Sequence, residues 1–192
     1  MDISRLTQPP DRALLAELTA LYASNRDFFA LSGDFPDPDA ITAEQVAATL
    51  AEERAAPGAE TLLARDTEGR LVGIALTLAR HPDPADPDPW IGLLLVDARH
   101  RRTGHGRRLA DAVEERFRRA GRTAVRLAVL DNNPDGLAFW TALGYREIDR
   151  RRDRQLGRPC RVLRKPLAPA PQDSSGSSRS SGSSGASGLP LP

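Results

Sequence analysis

Apolar residues recur along the chain with two different periods, and their order sketches a domain in which helices and strands are mixed. Leu14, Leu15, Leu18, Leu21 and Tyr22 fall at helical spacing and predict an amphipathic helix over about Asp11 to Ser24. Phe28, Phe29, Leu31 and Phe35, set among Gly33, Pro36 and Pro38, read as an irregular segment packed onto the rest. Thr42 and Gln45 have the spacing of a capping box, with Ile41 and Val46 as its hydrophobic staple. A second helix therefore starts there and runs to about Ala55, ended by Pro57 and Gly58. Thr61 to Arg65 and Leu71 to Leu78 are β-prone runs around a Gly-containing turn, the pattern of a hairpin.

Trp90 to Val96 is a continuous apolar run too short for a helix and predicts a strand buried on both faces. Leu109, Val113 and Phe117 line one face of a helix that closes at Ala120 with Gly121 behind it. Val125, Leu127 and Val129 alternate as in a strand. Asn133 followed by Pro134 opens a short helix that Gly144 ends. Tyr145 to Asp149 and Arg161 to Lys165 complete the pattern as a last pair of strands. The order is helix, helix, three strands, helix, strand, helix, two strands: an α/β domain with a mixed sheet and helices on both faces. It is expected to span residues 1–167, with 168–192, rich in Pro, Ser and Gly, as a disordered tail.

Composition narrows the function classes. Lys and Arg total 27 against 26 Asp and Glu, so no net field calls for nucleic acid or an anionic membrane. No run of about 18 apolar residues is present, and the N-terminus lacks a signal-peptide core. Cys160 is the single cysteine, which rules out an internal disulfide or a cysteine metal cage and fits a cytoplasmic protein; no metal site is expected. Charge is unevenly placed. Asp34 to Asp39 and Asp83 to Asp88 are acidic and Pro-rich, whereas Arg crowds Arg99 to Arg108 and Arg146 to Arg164.

The stretch that carries chemistry runs from Val96 to Leu109. A strand ends, a basic loop from Arg101 to Gly106 holds two glycines, and a helix opens directly after. Amides at a helix start have no partner inside the helix, and the dipole makes that end positive, so an anion sits there favourably. The spacing is neither the dinucleotide-binding G-x-G-x-x-G nor the Walker pattern, and an ordinary strand-to-helix turn is the alternative. A second segment changes that balance. Arg101-x-x-Gly104-x-Gly106, together with Asn133-Pro134-Asp135-Gly136-Leu137-Ala138-Phe139-Trp140 through Gly144-Tyr145, resembles the paired motifs of the GNAT superfamily of N-acetyltransferases.

The resemblance implies a twisted, mostly antiparallel sheet splayed at the cofactor strand, and acetyl-CoA as co-substrate. It implies that Leu95 and Val96 pair with pantetheine, and that Arg101, Arg102, Gly104, His105, Gly106 and Arg107 surround the pyrophosphate. Asn133 would contact the cofactor arm, and Phe139 and Trp140 would line the acyl end. The reaction implied is direct attack by an amine on the thioester in a ternary complex. Two departures stand out: Gly136 where the family usually has Ala, and Trp140 where many members carry a Tyr that protonates the leaving thiolate. An indole N–H is no useful acid, so the catalytic residues are left unassigned.

Among other groups, His81 is the histidine placed to reach an acceptor, an exposed turn histidine being the alternative; His100 and His105 read as loop residues. The Asp-Pro pairs are either a lure for a cationic amine or plain turn chemistry. The partners expected are acetyl-CoA and an amine acceptor on a small molecule or protein, with a homodimer allowed but not specified. Two other readings are a non-catalytic acyl-CoA sensor marked by Trp140, and nucleic-acid binding through the Arg clusters, which no aromatic interleaving accompanies.

Overall fold

The computed structural model describes residues 1–81 and 83–168. The expected tail, apart from Ala168, lies outside the described residues. Seven strands, β1 (Asp2–Arg5), β2 (Ala59–Arg65), β3 (Leu71–Leu78), β4 (Trp90–Val96), β5 (Ala124–Leu130), β6 (Arg146–Arg152) and β7 (Pro159–Pro166), form one sheet in the order β1-β2-β3-β4-β5-β7-β6. Five α-helices flank it: α1 (Arg12–Ser24), α2 (Arg26–Ser32), α3 (Ala43–Ala55), α4 (His105–Arg119) and α5 (Pro134–Ala142). Every strand pair is antiparallel except β4 with β5.

Two apolar clusters lie on the two faces of the sheet. Leu18, Leu21 and Tyr22 of α1, Phe29 of α2, and Val46 and Leu50 of α3 pack on Leu63, Ile74, Leu76 and Leu95. Leu109, Val113 and Phe117 of α4, with Trp140 and Leu143, pack on Leu62, Ala75, Val125 and Leu127. The strand period of two delivers Leu62 and Leu63 to opposite faces, so each helix stripe meets a full apolar surface. The expected helix starts hold: Asp11 caps α1 through Leu14 N–H, and Thr42 and Gln45 form both bonds of the capping box.

Three expectations need correction. The first strand, Asp2–Arg5, was not anticipated, because its residues carry no apolar alternation; it is an edge strand held by β2 alone. The segment from Phe28 to Phe35 is helical in its first half, where Phe29 stacks on Tyr22 at 5.4 Å, and Gly33 (φ 71°) ends that helix. β4 is not buried on both faces: Gly92 is exposed, and Leu93, Leu94 and Val96 are half-buried.

That exposure has a geometric cause. Leu76 pairs with Leu93 and Thr77 with Ile91, leaving Gly92 bulged out of the ladder. A bulge bends its strand and sharpens its twist. Beyond it β4 follows β3 and parts from β5, to which it is joined only at Trp90 with Arg126 and Ile91 with Leu127. β5 continues instead along β7 as far as Leu130 with Cys160. The sheet opens as a V at its centre.

Candidate functional site

At the C-terminal end of β4 the chain makes a single 3-10 turn over Ala98–His100 and enters a loop before α4. Asp97, 2% exposed, anchors the turn by accepting from Arg99 N–H at 2.9 Å and pairing with the Arg99 guanidinium at 2.6 Å. Those bonds hold its carboxyl below the usual range, against the effect of burial. Arg102 (φ 62°) and Gly104 (φ 86°) are both left-handed. Among the described residues, the N–H groups of Arg102 to Arg107 donate to no acceptor. They sit at the positive end of the fifteen-residue α4.

The two glycines play different parts. A Cβ on Gly104 would meet nothing within 4 Å, so that face of the loop is open and its left-handed backbone alone calls for glycine. A Cβ on Gly106 would stand 3.3 Å from the Phe139 ring and 3.6 Å from Val96 Cγ2, so this glycine lets α4 close onto α5 and β4. His100 and His105 lie with ring centroids 6.2 Å apart, and each Nδ1 is buried without a partner. Burial, then Arg108 and His100, push the His105 pKa down.

The loop is braced from α1. Asn25, 2% exposed, donates to Leu21 O at 2.8 Å and Val96 O at 3.2 Å and accepts from Arg101 Nη2 at 2.6 Å. Ser24 Oγ accepts from Ala98 N–H at 3.1 Å. The Arg101 guanidinium is thus turned back onto the protein.

Ladder parity decides which backbone groups face the V. Asp97 N–H donates to Val72 O, and the register sets Val96 opposite Gly73 and Leu95 opposite Ile74. Leu95 and Ile74 are then a hydrogen-bonded pair, and the polar groups of Leu94 and Val96 point away from β3. Leu95, expected to offer its backbone to a ligand, has that backbone paired with Ile74; the groups that the parity leaves unpaired by β3 belong to Leu94 and Val96. Val96 keeps its N–H for the gap, its carbonyl being taken by Asn25.

Asn133 caps α5, its Oδ1 accepting from Gly136 N–H at 2.9 Å. A Cβ at position 136 would stand 2.6 Å from Asn133 Nδ2, so glycine here is what lets the cap side chain lie where it does. Phe139 is half-buried beside Gly106. Trp140 lies in the core, edge-on to Phe139 at 4.9 Å and to Tyr145 at 5.0 Å. It is not among the residues that line the cleft at the V, and its indole packs against Phe139 and Tyr145.

That cleft, about 490 Å³, opens on the α1–α3 side of β4 and β5, with Tyr22, Phe29, Asp34, Glu53, Gly92, Leu93, Val129 and Asn133 among its walls. Arg158, in the β6–β7 connection, pairs with Asp153 at 2.6 Å and with Asp34 at 2.6 Å, clasping the hairpin to the loop after α2. The Asp-Pro pairs beyond β3 serve structure: Asp86 takes Arg126 and Arg151, and Asp88 takes Arg126 at 2.9 Å and Arg164 at 2.8 Å. His81 lines a smaller compartment of about 210 Å³, its ring tilted against Trp90 with centroids 4.7 Å apart, and its Nδ1 3.1 Å from Asp83 N–H and 3.2 Å from Asp86 Oδ2. Only a neutral Nδ1 can accept from that amide, and burial lowers the ring's pKa, so we take the amide as its partner. Arg150, Arg151, Arg158, Arg161 and Arg164 all have acidic partners within the chain, which leaves little of that cluster for a polyanion.

Asn25, Tyr22 and Glu53 carry much of this geometry and were not singled out from the sequence as site residues. Asn25 follows a helix whose last turn offers free carbonyls, the one local hint of its part. Nothing in the spacing of Tyr22 or Glu53 separates them from the core and the helix surface.

Comparison with known proteins agrees with this architecture. The sequence profile of the Acetyltransferase (GNAT) family matches residues 18–145. Curated proteins compared by sequence give no match. Similar solved structures include the ribosomal-protein-S18-alanine N-acetyltransferase of Escherichia coli (18% identity, TM-score 0.61, 90% of this chain and 97% of that one). A GCN5-related N-acetyltransferase from Kribbella flavida (22%, 0.60, 86% and 98%) and an aminoglycoside 6'-N-acetyltransferase complexed with coenzyme A (18%, 0.58, 89% and 99%) share the fold as well. No helix among the described residues is long and apolar enough to cross a membrane. With two thirds of its length matched by the family profile and its sheet split at β4, the chain belongs to the GNAT acetyltransferase family.

Proposed function

We propose that the protein transfers an acetyl group from acetyl-CoA to a primary amine by direct attack in a ternary complex. The observation that carries this reading is the run of unpartnered amides from Arg102 to Arg107, set where β4 ends and α4 begins. Six donors at a positive helix end, with open space at Gly104, fit a diphosphate in charge and in room. The pantetheine amides would continue along the Leu94 and Val96 edge, which the V leaves without a strand partner, toward Asn133, whose Nδ2 bonds no other described residue. Phe139 would flank the arm where it passes Gly106. Bound this way, acetyl-CoA supplies the electrophilic thioester carbonyl. The chain's own part is to hold the cofactor straight, to keep water from the gap, and to present the acceptor from the cleft on the α1–α3 side.

Trp140 gives the sensor reading its one support, because no acid stands at that position and the indole is committed to the core. Two measurements separate the readings. Calorimetry should give saturable acetyl-CoA binding that is lost when Gly104 and Gly106 are both replaced by Val. Free-thiol release against a panel of small amines should then exceed the amine-free rate. Failure to bind acetyl-CoA overturns the proposal; binding without transfer to any amine favours the sensor.

A further inference from the structure

The split sheet is held at both ends of its V. At the base, where β4 and β5 pair through Trp90 with Arg126 and Ile91 with Leu127, Asp86 and Asp88 fasten Arg126, Arg151 and Arg164. The splayed end carries a second joint, made by two side chains. Arg158, just before β7, donates through Nη1 to Ser32 O and to Asp34 Oδ1, the latter at 2.6 Å, while its Nε holds Asp153 of its own hairpin at 2.6 Å. Asn132, just after β5, donates to Leu31 O at 3.0 Å. Both side chains reach from the β5–β7 half of the sheet to the end of α2, which packs on the other half. The V is thereby closed into a ring around the cleft of about 490 Å³.

The two joints are unequal. At the base the side chains of Asp86 and Arg126 are 5% and 15% exposed, whereas at the splayed end those of Asp34 and Arg158 are 33% and 21% exposed, so water and salt weaken the second pair more. Leu31 and Leu156, the apolar side chains nearest the joint in sequence on its two sides, are 43% and 57% exposed, so parting it uncovers little apolar surface. The joint also stands beside Gly33 (φ 71°) and Gly157 (φ 67°), one on each side, and hinges fall at such loop and element ends.

Resting on the acetyl-transfer reading for what enters, we propose that Arg158 is a latch across the V. Closed, it ties the α2 corner to the β6–β7 hairpin and shuts the cleft at its splayed end. Released from Ser32 and Asp34, it lets the two swing apart to admit the acceptor and discharge the acetylated product. A fixed brace would make the same bonds; the difference is that a latch opens while the rest of the domain stays folded. The chain carries a reporter of that event. Cys160, its single cysteine, is 2% exposed, lines the cleft, and lies at the splayed end of β5 opposite Leu130. With the latch closed its thiol is out of a reagent's reach, and with the latch open the cleft leads to it.

The test is labelling of Cys160 in the full chain by N-ethylmaleimide, a neutral reagent, followed by mass spectrometry. Wild type should label slowly, and at least about threefold faster when NaCl is raised from about 0.05 to about 0.5 M. Asp34→Ala lies 124 positions from Arg158 and leaves the bond to Asp153 in place. It should label at least about tenfold faster than wild type at low salt and lose the salt response, and Arg158→Met should do the same. Lys165→Met, weakened where β7 meets α4, controls for global unfolding and should label at the wild-type rate. Wild-type rates in both Asp34→Ala and Arg158→Met, or equal acceleration by Lys165→Met, overturn the latch. In turnover, Asp34→Ala should raise kcat/KM for phenethylamine relative to propylamine at least about threefold, and an unchanged ratio overturns the latch as an entrance. Labelling needs no cofactor, so a wild type that fails to bind acetyl-CoA overturns the acetyl-transfer reading instead.

Discussion

Replacing Asn25 by Ala tests whether the cofactor loop is held from α1. The side chain donates to Leu21 O at 2.8 Å and to Val96 O at 3.2 Å, and it receives the Arg101 guanidinium at 2.6 Å. Alanine leaves the Val96 carbonyl without a side-chain donor, while Leu21 O keeps Ser24 Oγ at 2.7 Å, and it frees a guanidinium that can turn to water. One orphaned buried group costs about 1–3 kcal/mol, so the loss is set at about 1–3 kcal/mol. At about 2–4 °C per kcal/mol for a domain of this size, the melting temperature should fall by roughly 2–12 °C. A purely structural role would stop there. Because Val96 and Arg101 bound the loop that carries the free amides, acetyl-CoA should also bind at least about tenfold more weakly, the equivalent of about 1.4 kcal/mol. Thermal unfolding followed by circular dichroism gives the first quantity, and calorimetry at a temperature where the variant is folded gives the second. A lowered melting temperature with unchanged affinity would refute the claim that Asn25 shapes the anion loop; no change in either would refute the burial argument itself.

Four further outcomes are expected. Gly104→Ala forces a left-handed alanine into open space, costing about 1–2 kcal/mol of stability by backbone sterics alone, and should weaken acetyl-CoA binding in calorimetry because the methyl enters the open face of the loop. Trp140→Tyr should lower the urea midpoint, by about 1–3 kcal/mol from lost packing, without raising kcat; a sharp gain in kcat would mean that an acid had been missing. Lys165→Met strands Glu114, 3% exposed, beside the Tyr145 hydroxyl, and should cost about 2–4 kcal/mol in urea unfolding, less than a fully buried pair since the Lys165 side chain is 24% exposed. Glu53 has a raised pKa, so its folded form binds a proton more tightly than the unfolded chain, and stability is lost as pH rises through the window from the ordinary glutamate value up to the folded one. Glu53→Gln should therefore melt higher than wild type at neutral pH and equally below the ordinary glutamate range, as a pH series of melting curves would reveal.

The contrast between what could be read in the sequence and what could not follows the range of each interaction. Caps, staples and helix stripes are local: Asp11, Thr42 with Gln45, and Asn133 with Pro134 reach partners three residues away, and all of them start helices where their spacing says they should. The glycine-containing loop between β4 and α4 is local too, and its open amides follow from a helix start that lacks side-chain caps. What escaped is set by pairing over long separations. Which residues of β4 face the V depends on a bulge at Gly92 and on ladder parity with β3, and a continuous apolar run is silent on both. Asn25 meets Val96 across 71 positions and Arg158 meets Asp34 across 124, contacts that no periodicity encodes. The acidic Pro-rich loop makes the same point in reverse. Asp86 and Asp88 looked free to draw a cation, yet Arg126, Arg151 and Arg164, brought by β5, β6 and β7, use them to fasten the loop to the sheet. The acidic groups of the cleft divide in the same way: Asp34 and Asp153 are held by Arg158, whereas Glu52 and Glu53, neighbours on α3, form no ion pair among the described residues, a difference set by what the fold brings opposite each of them and absent from α3's own spacing.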